Sequence, residues 1–144
     1  MKRTISTMGL NKIMDYEGFV NYPYPDSKGV FTIGIGHTRG VTPDTPNITR
    51  EQGMKLLFED LKPVEDYINK HFELKKQNQF DALCSLVFNE GVGRISKSNL
   101  YQVMLKDSND RNVAYEWIEF CLDDGDFIPG LLTRRCKEII NYFS

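Results

Sequence analysis

Phe19-Val20-Asn21-Tyr22-Pro23-Tyr24-Pro25-Asp26-Ser27-Lys28-Gly29-Val30-Phe31-Thr32-Ile33-Gly34-Ile35-Gly36-His37 is the stretch of the sequence that reads as β-structure. Asp26 and Gly29 occupy the first and fourth positions of a type I turn, and the flanking runs alternate, so the spacing predicts a β-hairpin with a proline-blunted edge. With a period of two, Gly34 and Gly36 fall on the face of Thr32, leaving room there for something other than side chains. Upstream, Ile5, Met8, Ile13 and Met14 are spaced for a short helix that ends near Glu17, with Gly18 just past its end.

Everything downstream is helical. Thr49 and Gln52 form a capping box, and Leu56, Leu57, Leu61, Val64 and Ile68 keep helical spacing to about Phe72, with Pro63 expected to kink or split the segment. Phe80, Leu83, Cys84 and Val87 mark a strongly amphipathic helix ended by Gly91 and Gly93. Further helices follow around Leu100, Val103 and Met104, around Val113, Ala114, Trp117, Ile118 and Cys121, and around Leu132, Cys136, Ile139, Ile140 and Phe143. One helix, one small β element and then only helices is an α+β chain with segregated elements, without the βαβ alternation of a nucleotide-binding sheet. No repeat or linker interrupts residues 1–144, which are expected to form a single domain with a β-containing lobe over roughly residues 14–50.

With 144 residues, 40% hydrophobic, the chain can bury roughly 68–70% of its unfolded surface without metal or disulfide. Eighteen basic residues against twenty acidic give a net charge of −2 with no basic stripe, which argues against a nucleic-acid partner. The first ten residues carry two positive charges but no apolar run, and no segment approaches eighteen apolar residues, so neither an export signal nor membrane insertion is expected. Cys84, Cys121 and Cys136 lack metal-ligand spacing and fall on apolar helical stripes, where they are expected to be buried thiols. No metal or cofactor is called for.

The hairpin region holds a carboxylate at a helix end (Glu17), another at the turn (Asp26) and a hydroxyl on the facing strand (Thr32). The negative end of the helix dipole favours the protonated form of a carboxyl at the position of Glu17, and backbone N–H groups at a wet turn favour an ionised Asp26. Two carboxyls in unlike surroundings suit divided acid and base roles, as in glycoside cleavage. The same residues also serve as an ordinary helix end and an ordinary turn residue, so this pattern alone leaves both readings open.

Asp15-Tyr16-Glu17-Gly18, the aromatic-proline run to Asp26, and Gly29 through Thr38 resemble the catalytic segment of the phage-type lysozymes, glycoside hydrolase family 24. In that family a Glu, eight residues, an acidic or thiol residue, five more and a Thr form the active site, a pattern matched by Glu17, Asp26 and Thr32. The resemblance continues through Phe88-Asn89-Glu90-Gly91-Val92-Gly93, Ser98-Asn99-Leu100 and Pro129-Gly130-Leu131-Leu132-Thr133-Arg134-Arg135, and so covers nearly the whole chain. Phe120 stands where many members carry Trp, and Asp124-Gly125 replaces a Gly pair.

The resemblance implies a lysozyme-like fold, with a small N-terminal lobe, a larger helical lobe and the active-site cleft between them. It also implies an endolysin that cleaves the β-1,4 bond between N-acetylmuramic acid and N-acetylglucosamine with inversion. Glu17 would be the acid, Asp26 the base and Thr32 the residue that orients water. Phe88, Asn89, Tyr24 and Arg134 are candidate substrate-binding residues, Tyr24 with Tyr22 serving either as a sugar-stacking edge or as hairpin packing. Arg134 and Arg135 are either surface charges or support for the site. His37 is expected to be structural, paired with a carboxylate of the helix that begins at Thr49. The run Asp123-Asp124-Gly125-Asp126 reads as a turn and not a calcium loop. The resemblance further implies a monomer made in the host cytoplasm and released to the periplasm by a holin-like permeabiliser. Competing readings are a catalytically silent wall-binding module, which would be expected to have lost one of the three residues, and a tail-associated or secreted remodelling lysozyme.

Overall fold

The structure, a computed structural model, describes residues 2–144. In chain order it contains α1 (Thr7–Glu17), β1 (Val20–Pro25), β2 (Phe31–Gly34), α2 (Arg50–His71), α3 (Gln77–Glu90), α4 (Val92–Ser96), α5 (Asn99–Lys106), α6 (Asn112–Ile118), a 3₁₀ turn (Glu119–Cys121), β3 (Leu122–Asp123), β4 (Asp126–Phe127) and α7 (Pro129–Tyr142). This is the α+β arrangement expected. The chain divides into two compact units, one of residues 11–63 and one of residues 1–10 with 64–144.

In the unit of residues 11–63, β1 and β2 pair antiparallel with Tyr24 opposite Thr32 and Pro25 opposite Phe31. The Asp26 turn closes through Gly29 N–H to Asp26 C=O (3.0 Å) and Asp26 N–H to Val30 C=O (2.9 Å). The strand was expected to run to His37 but stops at Gly34, because Gly34 and Gly36 take φ of 68° and 70°, a left-handed backbone that leaves the strand. Ile33 and His37 then form an isolated bridge, donating to each other at 2.9 and 3.0 Å.

The space beside Gly34 is not open. A Cβ there would lie 3.2 Å from Ile48 Cδ1 and 3.4 Å from Gly53 Cα, and a Cβ on Gly53 would lie 2.7 Å from the Phe19 ring. Two glycines thus let the first turn of α2 approach the hairpin backbone directly. The capping box forms as read, Thr49 N–H donating to Gln52 Oε1 (2.8 Å) and Gln52 N–H to Thr49 Oγ1 (3.1 Å). Ile13, Ile33, Ile35, Leu57 and Leu61 are buried.

Pro63 does not split α2, which is assigned as one helix of 22 residues. The proline is exposed, so the Glu59 carbonyl that it cannot serve has access to water. The division between the two compact units nevertheless falls at Pro63 and Val64.

In the other unit, α3 is the central element, with every residue from Gln79 to Val87 buried, and it packs on α7. Trp117, Leu83, Leu86, Leu100 and Ile95 complete the core. Residues 3–6 are clasped by side chains of this unit: Arg3 N–H donates to Asn69 Oδ1 (2.9 Å), Asn69 Nδ2 to Arg3 C=O (2.8 Å), Ile5 N–H to Glu65 Oε2 (2.7 Å) and Ser6 N–H to Asp81 Oδ1 (2.9 Å). These bonds satisfy a segment that has no strand or helix partner.

Several elements differ from expectation. Of the two glycines expected to end α3, Gly91 does so at φ 94°, while Gly93 lies inside α4, which begins at Val92. The Asp123–Asp126 run is a turn, and it closes the small β3–β4 hairpin, with Asp124 (φ 50°) and Gly125 (φ 84°) both left-handed as a two-residue hairpin turn requires.

The apolar stripe expected to bury α7 does so only in part, Leu132 and Ile139 being half-buried. Ile140 is 69% exposed, Phe143 43%, Cys136 is exposed, and the helix instead buries Arg134, Arg135, Glu138 and Tyr142. Opposite charges that pair inside the unit can be buried where isolated ones cannot, and their aliphatic stems supply the apolar contact. Of the three cysteines only Cys84 is buried, Cys121 being half-buried.

Candidate active site

Glu17 is the last residue of α1, and Gly18, at φ 68°, continues the chain in the left-handed conformation, its N–H donating to Met14 C=O at 2.8 Å. The Glu17 side chain is half-buried and lies along Gly36, where a Cβ would come within 2.9 Å of Oε1. Gly36 is therefore needed twice, for its positive φ and to make room for the carboxyl.

Asp26 is exposed, and its Oδ1 accepts from the backbone N–H groups of Lys28 (2.8 Å) and Val30 (2.9 Å). Both turn bonds use one oxygen, so Oδ2 remains for other work. Thr32 is buried, opposite Tyr24, and its hydroxyl donates to Val30 C=O at 3.1 Å. Since that hydroxyl proton is committed, Oγ1 can only accept from a further partner.

Tyr24 ties the three together. It is half-buried beside Thr32 in the pairing register, which puts both side chains on one face. Burial pushes its phenol above the ordinary value, and the carboxylates of Glu17 and of Asp26, then Tyr22, add to the rise. Glu17 at the end of α1 and Asp26, Thr32 and Tyr24 of the hairpin thus belong to one compact unit, while Tyr22 is 54% exposed. His37 accepts the role expected for it, its Nδ1 lying 2.7 Å from Asp60 Oδ2 on α2.

Phe88, Asn89 and Arg134 belong to the other compact unit. Phe88 is half-buried and Asn89 exposed at the end of α3. Arg134 is buried, its Nη2 donating to Ser85 C=O (3.2 Å) and Ser85 Oγ (3.3 Å) and its Nε to Glu138 Oε2 (3.3 Å). Arg135 is fully buried, and it donates from Nη2 to Asn89 Oδ1 (2.7 Å) and from Nη1 to Glu90 Oε1 (3.3 Å), with Nε 2.9 Å from Glu138 Oε1. Glu138 also accepts from Ser85 Oγ and from Trp117 Nε1 (3.1 Å). Sequence reasoning missed Glu138 and Glu90 because nothing in their spacing separates a buried ion pair from a solvated helix face. Among the described residues no group of three or more His, Cys, Asp or Glu side chains is arranged to hold a metal ion.

A half-buried carboxyl at a helix end, a turn carboxylate with one uncommitted oxygen and a hydroxyl on the facing strand are the equipment of a glycoside hydrolase. The phage lysozyme family pattern matches residues 14–138, and the chain belongs to that family. It is 41% identical over 140 residues to the endolysin of Salmonella phage P22, covering 93% of this chain and 94% of that protein. Among solved structures, the muramidase domain of SpmX from Asticaccaulis excentricus superposes with a TM-score of 0.87 at 26% identity over 99% of both chains. A P22 lysozyme mutant superposes with a TM-score of 0.78 at 33% identity, also over 99% of both. The fold is lysozyme-like and the chain is a lysozyme, a glycoside hydrolase of the endolysin type.

Proposed function

We propose that this lysozyme cuts the β-1,4 bond between N-acetylmuramic acid and N-acetylglucosamine in peptidoglycan, with inversion, to lyse a bacterial host. The observation that carries the reading is the gathering of Glu17, Asp26 and Thr32 around Tyr24 in one unit. Glu17 donates its proton to the leaving glycosidic oxygen. A water on the opposite face of the sugar donates one hydrogen to Thr32 Oγ1, which can only accept, and the other to Asp26 Oδ2. Both O–H bonds of that water are then directed into the protein, and its lone pair is left to face the anomeric carbon. As the C–O bond to the leaving sugar breaks, the new one forms and Asp26 takes the proton. Tyr24 serves substrate binding in the unit of residues 11–63, and Phe88 and Asn89 are the substrate-binding residues of the other unit, where Arg134, buried on Ser85 and Glu138, supports them from within.

No helix among the described residues is long and apolar enough to cross a membrane. The protein is read as a monomer that accumulates in the host cytoplasm and acts in the periplasm once a holin-like protein opens the inner membrane. The test of chemistry is the anomeric configuration of the first product by NMR. An α anomer is expected, and retention would make Asp26 a nucleophile and overturn the mechanism. The test of delivery is expression alone in a Gram-negative host, where cells should stay intact until chloroform is added. Spontaneous lysis would show that the protein exports itself.

A further inference from the structure

Arg135 is the most deeply buried charge described in this chain, 0% exposed, yet one of its guanidinium nitrogens reaches an exposed side chain, Asn89, at 2.7 Å. A guanidinium has donors only, so the Asn89 atom facing it must be the carboxamide oxygen, and the Nδ2 group with its two hydrogens is turned outward. The same guanidinium donates from Nη1 to Glu90 Oε1 at 3.3 Å, and the Glu138 carboxylate lies 2.9 Å from Nε as a second counter-charge. The geometry points to Arg135 as a positioning residue that presents the Asn89 carboxamide as a fixed hydrogen-bond donor for an amide carbonyl of the substrate.

This inference rests on peptidoglycan as substrate. Amide carbonyls there come from two sources, the acetamido groups of the sugars and the stem peptide, and either supplies an acceptor without a proton. A donor already held in one rotamer loses little further freedom when it binds, which is what makes a surface asparagine useful for recognition.

The test is steady-state hydrolysis of purified peptidoglycan, and of glycan strands stripped of stem peptides by an amidase, by the wild type, Asn89→Asp, Arg135→Lys and the double variant. Asn89→Asp is isosteric and its carboxylate pairs with Arg135, so the melting temperature should hold while the outward donor becomes an acceptor. KM is expected to rise about tenfold, the worth of one hydrogen bond, with kcat within about twofold. A rise on both substrates assigns the acetamido carbonyl, and a rise on intact peptidoglycan alone assigns the stem peptide. Lysine cannot span Asn89, Glu90 and Glu138 at once, so Arg135→Lys should raise KM as well, and adding it to Asn89→Asp should cost nothing more. A wild-type KM for Asn89→Asp on both substrates, or equal effects of Arg135→Lys with and without Asn89, would overturn the inference. A wild type that hydrolyses neither substrate would instead overturn the proposed function.

Discussion

At the residue scale, the proposed acid is separable from the fold. Glu17→Gln keeps the shape that fits against Gly36 but has no acidic proton to give, so turbidity clearing should fall by about 10²–10⁴-fold with little change in melting temperature. Residual activity above a tenth of wild type would sink the assignment. The cysteines make two more predictions. Cys136, exposed on α7, should react with a thiol reagent in the native protein, and Cys84 should react only on unfolding. Burial, with the nearby carboxylates of Glu65 and Asp81, pushes the Cys84 thiol well above its ordinary value. The unfolded chain therefore releases this proton near pH ~8.5 while the native state keeps it, so the contribution is fully present below that pH and is lost as pH rises above it, by roughly 1.4 kcal/mol per pH unit. The drop in melting temperature between pH 8 and pH 10 should be smaller in Cys84→Ala than in wild type. An unchanged drop would mean that the thiol ionises in place.

At the element scale, the Asp26 turn is both structure and chemistry. Both turn bonds fall on Oδ1, so Asp26→Asn retains an acceptor for Lys28 and Val30 N–H and should keep stability while losing the base. Asp26→Ala loses both functions, and removal of the turn bonds should cost about 1–2 kcal/mol in chemical denaturation on top of the activity. Equal destabilisation by the two variants would show that the turn depends on the charge and not on the oxygen. The same turn explains why the hairpin was legible from sequence: Asp first and Gly fourth is local chemistry. The end of β2 was not legible, because Gly34 and Gly36 suit a strand edge as well as a left-handed bend, and what selects the bend is the close approach of Gly53 and of Glu17.

At the scale of the whole molecule, four buried charges on two helices take the core positions that Cys136 and Ile140 of α7 leave for solvent. Arg134 and Arg135 meet Glu138 within α7, and Arg135 meets Glu90 of α3. Glu138→Ala should cost about 3–5 kcal/mol by calorimetry, because it leaves buried guanidinium groups short of a counter-charge. Glu138→Gln, which keeps two polar atoms for Trp117 and Ser85, should cost less. A Glu138→Ala variant near wild-type stability would mean that water reaches this network.

The sequence determined the elements and the candidate chemistry. Helix ends, the capping box at Thr49, the Asp26 turn, the amphipathic face of α3 and the spacing of Glu17, Asp26 and Thr32 are all set by residues within one or two turns of each other. The tertiary structure decided what those local rules cannot weigh. The fate of Pro63 depended on whether its orphaned carbonyl met water. Whether α7 buried its isoleucines or its arginines depended on carboxylates of α3 and α7 arriving beside the guanidinium groups. Apolar periodicity measures the desolvation of each side chain alone, and a buried ion pair becomes acceptable only through a partner that the linear sequence does not identify.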